Sequence, residues 1–276
     1  MAQPPSSLAA ALAALAAPGA MPIAGGTDWF PMQGDKPFRG PLVDIRALPG
    51  FQDLRREGEI WRLGACLRWT DLIRADLPPG FSALKEAARE VGSVQVQNAG
   101  TVAGNLCNAS PAADGVPVLL ALGAEVELVS VFGRRVLALA DFITGPRRTA
   151  LRPGELLSAV LLPDPGVFSV SVFLKAGGRR YLVISVAMVA VVLRADHGLV
   201  AAAGISVGSC GPVACRLAAL ESALIGRRLD DLPRVTQDHL APLTPISDLR
   251  ASAEYRREAA GVLVSRAMSE AARRLQ

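Results

Sequence analysis

Apolar and polar residues follow one another along the chain with two periods, one typical of helices and one typical of strands. The helical period predicts helices over residues 6–17, 71–77, 81–92, 116–124, 213–226 and 252–275. Alternating or continuous apolar runs predict strands over residues 21–24, 41–45, 59–65, 154–164, 167–175, 182–195 and 199–209, and a β-hairpin over 125–142. The order of these elements is too irregular for one doubly wound sheet, so the pattern predicts an α+β fold.

Local signals mark the ends of several elements. Ser6 or Ser7 is suited to cap the first helix, and Thr70 to cap the helix over 71–77. Asp196-His197-Gly198 is a strong hairpin turn, and Asp164-Pro165-Gly166 marks a boundary between two parts of the chain. The terminal helix is expected to bury one face, formed by Tyr255, Ala259, Val262, Leu263 and Ala267.

Composition favours a well-packed globular protein, since 51% of the 276 residues are hydrophobic and 20% are charged. The net charge is only +4, and the mixed charges favour a solvated surface over a nucleic-acid-binding stripe. Residues 6–17 have the apolar character of a signal peptide, but no positively charged residue precedes them. The longest uncharged apolar run, 181–193, is too short to span a bilayer. We therefore expect a cytoplasmic protein with no membrane span.

Four scattered cysteines, Cys66, Cys107, Cys210 and Cys215, include no Cys-x-x-Cys pair. This spacing argues against a zinc or iron–sulfur site held by this chain alone, so no metal ligands are assigned. We expect all four to be small buried side chains in a reducing compartment.

A glycine-rich segment, IAGGTD (23–28), follows the first predicted strand and leads into a helical turn. Gly25 and Gly26 allow backbone N–H groups to approach an anion closely, and Thr27 and Asp28 add polar side chains, so a diphosphate fits this nest. The alternative is an ordinary turn. The segment is neither a Walker loop nor the three-glycine dinucleotide fingerprint.

A second segment, TVAGNLCNASPAAD (101–114), consists mostly of small and polar residues. It is too rich in Gly, Asn and Ser for a helix, so it predicts a loop. Thr101, Asn105 and Asn108 offer hydrogen-bonding groups at short intervals, and Asp114 is suited to accept from ribityl or ribose hydroxyls. The alternative is a structural loop that satisfies its own backbone. Together the two loops predict a cleft around an extended, phosphate-bearing ligand.

The motifs occur in a specific order: Ala24-Gly25-Gly26-Thr27-Asp28, then Gln95-x-Gln97-Asn98-x-Gly100-Thr101-x-x-Gly104-Asn105, then Ala109-Ser110-Pro111-x-x-Asp114. In this combination the chain resembles the FAD subunit of the xanthine dehydrogenase and carbon monoxide dehydrogenase family of molybdenum hydroxylases. The tail over 247–268 resembles the C-terminal domain of those medium subunits. The resemblance implies a PCMH-type FAD-binding fold with two small α/β subdomains, 1–57 and 58–165, and a C-terminal α+β domain, 166–276, with a small antiparallel sheet and helices.

The resemblance also implies which residues hold FAD. The two loops would grip its diphosphate and ribityl chain, and Lys175 would lie near the flavin ring, the alternative for Lys175 being a solvated strand end. A cation beside the ring would favour the anionic reduced flavin. The residues assigned to FAD are Ala24, Gly25, Gly26, Thr27, Asp28, Val91, Gly92, Thr101, Gly104, Asn105, Asn108, Asp114, Leu157 and Lys175.

Three positions depart from the family pattern. Ala103 replaces a glycine, which would cost about 1 kcal/mol if the backbone there had a positive φ. Trp29-Phe30 replaces smaller aliphatic residues and is expected to tighten the cleft. Residues 179–182, Arg-Arg-Tyr-Leu, lack the acidic residues found near the NAD site of NAD-using xanthine dehydrogenases, which argues against NAD⁺ as acceptor. Tyr181 either covers the flavin or has a plain packing role.

As a member of this family the chain would carry FAD and no catalytic residue. It would take electrons from two [2Fe-2S] clusters of a small subunit, while a large molybdopterin subunit oxidises the substrate, in a dimer of heterotrimers. Quinone, oxygen, a redox protein and NAD⁺ remain as acceptors. The four-cysteine insertion of the hydroxybenzoyl-CoA reductases is absent from the sequence. The alternatives are a stand-alone FAD-dependent oxidase or reductase and a binding protein that has lost FAD; a missing catalytic constellation argues against the first, and intact glycines against the second.

Overall fold

The computed structural model describes residues 4–34, 38 and 40–276, so residues 1–3, 35–37 and 39 of the predicted first subdomain lie outside the described part. The helices of the described part are α1 (Leu8–Leu15), α2 (Trp29–Gln33), α3 (Trp69–Arg74), α4 (Ser82–Glu90), α5 (Val94–Ala99), α6 (Val102–Asn108), α7 (Gly115–Ala121), α8 (Leu139–Phe142), α9 (Ala218–Leu224) and α10 (Ala253–Leu275). Its strands are β1 (Met21–Ile23), β2 (Leu42–Asp44), β3 (Leu54–Glu57), β4 (Ile60–Gly64), β5 (Glu125–Ser130), β6 (Gly133–Ala138), β7 (Ile143–Gly145), β8 (Arg148–Thr149), β9 (Leu156–Pro163), β10 (Ser169–Ala176), β11 (Ala187–Asp196), β12 (Leu199–Gly208) and β13 (Cys215–Arg216).

The strands of the described residues form two larger antiparallel sheets and two small pairs. The larger sheets have the strand orders β3-β4-β9-β5-β6 and β10-β11-β12-β13. The strands β1 and β2 pair in parallel, and β7 and β8 pair antiparallel. Helices and small antiparallel sheets are therefore mixed without regular alternation, which confirms the predicted α+β class.

The four-stranded sheet is covered on both faces, and this explains why β11 is a nearly continuous apolar run in the sequence. Phe173, Met188 and Ala190 belong to one hydrophobic core, together with residues of α4 and α7. Val189 and Val191, whose side chains alternate with those of Met188 and Ala190, belong to a second core with α9 and α10. The sheet thus joins the C-terminal region to the helices that position the candidate site.

Several predicted local features are confirmed. The side chain of Ser7 caps α1 by accepting a hydrogen bond from the Ala10 N–H at 3.2 Å. His197 and Gly198 both have positive φ in the turn between β11 and β12, as a two-residue hairpin requires. Strand β9 ends at Pro163 as predicted.

The expected loop over 101–114 is wrong in its first half, because residues 102–108 form helix α6. Thr101 caps this helix: its hydroxyl accepts a hydrogen bond from the Gly104 N–H at 3.0 Å. Val102, Ala103 and Leu106 are buried in the core that also contains Phe173 and Met188, which we call the main core. Packing of one face and the cap therefore outweigh the weak intrinsic helix propensity of this segment.

Two other helix starts differ from the prediction. Helix α3 begins at Trp69 with Arg68 as its N-cap, because the almost fully buried Trp69 side chain belongs to the core. Thr70, the predicted cap, instead donates a hydrogen bond to Asn98 Oδ1 at 2.6 Å. The predicted helix over 213–226 begins only at Ala218, because Cys215 and Arg216 pair with the edge of β12.

The buried face of α10 is also offset from the predicted one. Tyr255 is 56% exposed and Val262 is 44% exposed, whereas Ala260 and Val264 are fully buried. The difference arises from Arg256, a charged residue that is only 4% exposed. Its guanidinium donates to the carbonyls of Val186 and Ser209 and to the Asp248 carboxylate, so the polar residue anchors the inward face.

The division into 1–57, 58–165 and 166–276 stays a prediction. Strand β3 pairs with β4, with Leu54 opposite Leu63, so the hairpin that they form spans the first predicted boundary. Among the described helices, none combines the length and the apolar character that crossing a membrane requires.

Candidate functional site

The first glycine-rich segment lies directly against the residues that precede α6. A Cβ atom at Gly25 would lie 2.0 Å from the Ala99 carbonyl oxygen, so only glycine permits this approach. A Cβ atom at Gly100 would lie 3.2 Å from the Thr27 hydroxyl. Gly26 has a φ of +67°, a conformation that favours glycine. The structure thus places the first segment against Ala99 and Gly100, immediately before the second segment.

A cleft of about 420 Å³ opens beside this contact, within the usual range of small-molecule sites. Gly25 and Thr101 both line it. The remaining lining residues are Asp44, Arg46, Ala47, Gln52, Cys66, Arg68, Asn98 and Ala99. Sequence reasoning assigned none of these to the site, although their neighbours Gly25 and Thr101 were assigned.

Two arginines of the cleft are each held by a nearby carboxylate. The Arg46 guanidinium makes a bidentate pair with Asp44, with a shortest distance of 2.6 Å, and lowers the pKa of that carboxyl below its ordinary value. Arg68 makes a similar pair with Asp71 at 2.7 and 2.9 Å and lowers the pKa of Asp71. Both guanidinium groups are about half exposed or more. The cleft therefore presents fixed, partly neutralised cations.

Asp114 is the centre of a buried polar cluster that links α7 to β10. Its Oδ2 atom accepts from Lys175 Nζ at 2.9 Å, and its Oδ1 atom accepts from the Ser185 hydroxyl at 2.7 Å. Lys175 Nζ also lies 3.8 Å from a Glu90 carboxylate oxygen. Burial raises the pKa of Asp114, and Lys175 and Ser185 oppose this shift. The Lys175 side chain is 6% exposed, so the alternative of a solvated strand end is wrong.

Two asparagines of α6 lie in different surroundings. The Oδ1 atom of Asn105 is buried and has no hydrogen-bond partner among the described residues. A buried acceptor of this kind costs about 1–3 kcal/mol unless a ligand or water satisfies it. The side chain of Asn108, in contrast, accepts from the Arg147 guanidinium. Asn105 is therefore better placed than Asn108 to offer a free oxygen to a ligand.

The other residues assigned to FAD lie around this region with different exposure. Asp28 is exposed at the start of α2 and makes no side-chain cap. Ala24 and Val91 are half-buried against the main core, and Gly92 is exposed with a φ of +52°. Leu157 is only 2% exposed inside β9, against which α6 packs, so the structure does not bring its side chain to the surface of the cleft.

Two positions that depart from the family pattern, Ala103 and Tyr181, are described by the structure. Ala103 lies inside α6 and is not among the residues with positive φ, so the residue carries no strain there. Tyr181 is 63% exposed, with the Arg180 guanidinium 5.2 Å from its ring centre, so a plain packing role is wrong. Contact of Tyr181 with a flavin stays a prediction.

The cysteines do not form a site among the described residues. Cys66 and Cys210 are buried and Cys215 is half-buried, and burial raises the pKa of the Cys66 thiol to about 12. Cys107 is exposed, so the expectation of four buried thiols is wrong for this residue. In the described part of the chain, no three His, Cys, Asp or Glu side chains converge as a metal site would require.

Comparison with known proteins gives the same family along the whole chain. Residues 2–165 match the model for the FAD binding domain in molybdopterin dehydrogenase, and residues 173–271 match the CO dehydrogenase flavoprotein C-terminal domain. The chain is 32% identical to caffeine dehydrogenase subunit beta of Pseudomonas sp. (strain CBB1), over 98% of this chain and 94% of that protein. It is 31% identical to the carbon monoxide dehydrogenase medium chain of Afipia carboxidovorans, over 97% and 94%.

The fold agrees with these sequence matches. A chain in the crystal structure of the cyanide-inactivated Cu,Mo-CO dehydrogenase superposes with a TM-score of 0.89 at 30% identity, covering 99% of this chain and 97% of the other. The motifs, the two family domains and the shared fold agree. The chain belongs to the FAD-binding medium subunits of the xanthine dehydrogenase and carbon monoxide dehydrogenase family of molybdenum hydroxylases.

Proposed function

We propose that this chain is the FAD-carrying electron-transfer subunit of a molybdenum hydroxylase with three kinds of subunit, assembled as a dimer of heterotrimers. It would take electrons from the [2Fe-2S] clusters of a small subunit and pass them to an external acceptor. The substrate would be oxidised at a molybdopterin cofactor in a large subunit. The observation that carries the proposal is that Gly25 of the first segment and Thr101 of the second line one cleft, beside the close approach of Gly25 to Ala99.

The residues of the junction fit FAD in three respects. Gly104 is half-buried, and a Cβ atom there would meet only the Thr101 hydroxyl, at 2.9 Å, so space remains for a ligand to approach the backbone. The buried Asn105 Oδ1 atom lacks a partner among the described residues. The positive φ of Gly26 turns the first segment into the nest conformation that receives anions.

Within this proposal the chain's residues bind and orient the cofactor. Ala24, Gly25, Gly26, Thr27 and Asp28 would hold the diphosphate from one side. Thr101, Gly104, Asn105, Asn108 and Asp114 would hold the diphosphate and ribityl chain from the other. FAD, when bound, supplies the electron-accepting and electron-donating chemistry.

The flavin end is assigned to the end of α4 and its neighbours. Val91 and Gly92 would line the ring, with Leu157 packed behind them. Lys175 is held at its place by Asp114 and lies 3.4 Å from the Glu90 carbonyl oxygen, one residue before Val91. The Asp114 carboxylate offsets the charge of Lys175. The electrostatic potential near the ring would therefore be set by an ion pair and not by a lone cation.

The proposal is tested by purifying the full chain with its co-expressed neighbouring proteins and measuring flavin, iron and molybdenum. Stoichiometric FAD, iron and molybdenum in one stable complex is the expected result. A flavin-free preparation that cannot be reconstituted with FAD would contradict it. Flavin alone, with turnover by the isolated chain, would instead support a stand-alone oxidase or reductase.

A further inference from the structure

Three aromatic residues cluster next to the first glycine-rich segment. Trp29 and Phe30 pack edge to face, with ring centres 4.9 Å apart and an interplanar angle of 83°. Trp29 makes a second edge-to-face contact with Phe38, at 5.2 Å and 80°. We refer to Trp29, Phe30 and Phe38 as the aromatic cluster. Trp29 thus holds the Phe30 ring on one side and contacts Phe38 on the other.

The Phe30 ring lies directly on Gly26. A Cβ atom at Gly26 would lie 2.6 and 2.7 Å from two ring carbons of Phe30, so the ring occupies the space beside this glycine. The Phe30 N–H also donates to the Gly26 carbonyl oxygen at 3.0 Å. The Phe30 ring therefore lies directly beside the nest that is proposed to hold the diphosphate.

Two groups of the aromatic cluster make fewer contacts within the chain than such groups usually do. Phe30 is 61% exposed although it is a large apolar side chain. The indole Nε1 atom of Trp29 is buried without a hydrogen-bond partner among the described residues, whereas a buried indole N–H usually has one. An exposed aromatic face beside an anion nest is the arrangement that suits a stacked base next to a phosphate.

Building on the proposed function, we propose that the Phe30 ring, held by Trp29, is the stacking platform for the adenine of FAD. In FAD the adenine is separated from the diphosphate by a single ribose. The flavin end is assigned to Val91, Gly92 and Lys175, so the adenosine end extends from Gly26 toward α2. The adenine presents a flat π-face, and base–aromatic stacking needs no further specific hydrogen bonds.

The test compares binding of FAD, FMN and ADP to the full chain after removal of bound flavin. Phe30→Ala is expected to weaken FAD and ADP binding roughly 5- to 20-fold, the lower part of the range for base stacking because the ring stays half exposed. FMN lacks the adenosine half, so its affinity should not change. Phe30→Tyr keeps an aromatic face and should retain FAD affinity.

The matched control is Phe132→Ala, which removes a phenyl ring that is 97% exposed at the tip of the β5–β6 hairpin. It should bind all three ligands as the wild type does. Unchanged FAD affinity in Phe30→Ala would overturn the inference. An equal loss of FMN affinity would also overturn it, since the ring would then support the nest rather than the adenine. A wild-type chain that binds neither FAD nor ADP would contradict the proposed function itself, and the inference would fall with it.

Discussion

Replacement of Lys175 by methionine tests the buried polar cluster most sharply. The Lys175 and Asp114 side chains are 6% and 10% exposed, and their charged atoms lie 2.9 Å apart. Methionine has a similar length and fills the same space without the charge. The variant therefore leaves the Asp114 carboxylate buried, with the Ser185 hydroxyl as its remaining hydrogen-bond donor among the described side chains.

The expected cost follows from the loss of one partner of a buried ion pair, which lowers the free energy of unfolding by about 3–5 kcal/mol. Lys85→Met is the matched control. Lys85 Nζ donates to the Ala75 carbonyl at 2.7 Å, and the described structure gives it no carboxylate partner. Loss of this one hydrogen bond should cost about 0.5–1.5 kcal/mol.

The pH dependence distinguishes an ionic cause from a packing cause. Without the Lys175 ammonium, burial dominates and raises the pKa of Asp114 further above its ordinary value. A carboxyl whose folded-state pKa is raised binds protons more readily in the folded protein, so the stability of the variant rises as the pH falls through that pKa. The cost of Lys175→Met should thus be largest near neutral pH and shrink toward about pH 4.

Urea denaturation at several pH values measures both quantities, with the folded state confirmed by circular dichroism. A cost for Lys175→Met that equals that of Lys85→Met would refute the assignment of a buried ion pair. A larger cost that does not change with pH would show that lost packing, and not the unpaired Asp114 carboxylate, causes the destabilisation.

Two further predictions concern stability elsewhere in the chain. Arg256→Met should lower the free energy of unfolding by about 2–4 kcal/mol, because the carbonyls of Val186 and Ser209 lose their buried donor. Thermal or urea unfolding measures this loss. A loss no larger than that caused by Arg266→Met, at an exposed position, would contradict the prediction. Burial opposes but does not outweigh the ion pairs and hydrogen bonds that hold the pKa of Glu127 below its ordinary value, so its stabilisation is present above about pH 4.3 and is lost as the pH falls through the lowered pKa. Glu127→Gln should therefore flatten the acid side of the stability curve, and an unchanged slope would count against it.

Elements with local signals could be predicted from the sequence. The Ser7 cap, the turn at His197-Gly198 and the end of β9 at Pro163 depend on neighbouring residues alone, and all three are present. Helix α6 could not be predicted, because its stability depends on burial of Val102 and Leu106 against distant parts of the chain. The offset of the buried face of α10 depends likewise on the carbonyls and the carboxylate that surround Arg256, which periodicity does not reveal.

The candidate site shows the same limit. The two glycine-rich segments could be recognised from their residues and order, and in the structure Gly25 of the first and Thr101 of the second line the same cleft. The partners of Asp114 could not, since Lys175 and Ser185 are 61 and 71 residues away along the chain. Their meeting requires the packing of α7 against β11, which pairs with β10, and this is a property of the whole fold.

The proposed cofactor site is tested by FAD binding to the full chain, with wild type, Gly104→Ala and Gly178→Ala measured together. A Cβ atom at Gly104 would lie 2.9 Å from the Thr101 hydroxyl and would occupy the space left for the ligand, whereas a Cβ atom at Gly178 would meet nothing within 4 Å. We expect one tightly bound FAD per chain for the wild type and Gly178→Ala, and clearly weakened FAD retention for a folded Gly104→Ala. Equal FAD retention by all three proteins, or no FAD in any of them, would contradict it.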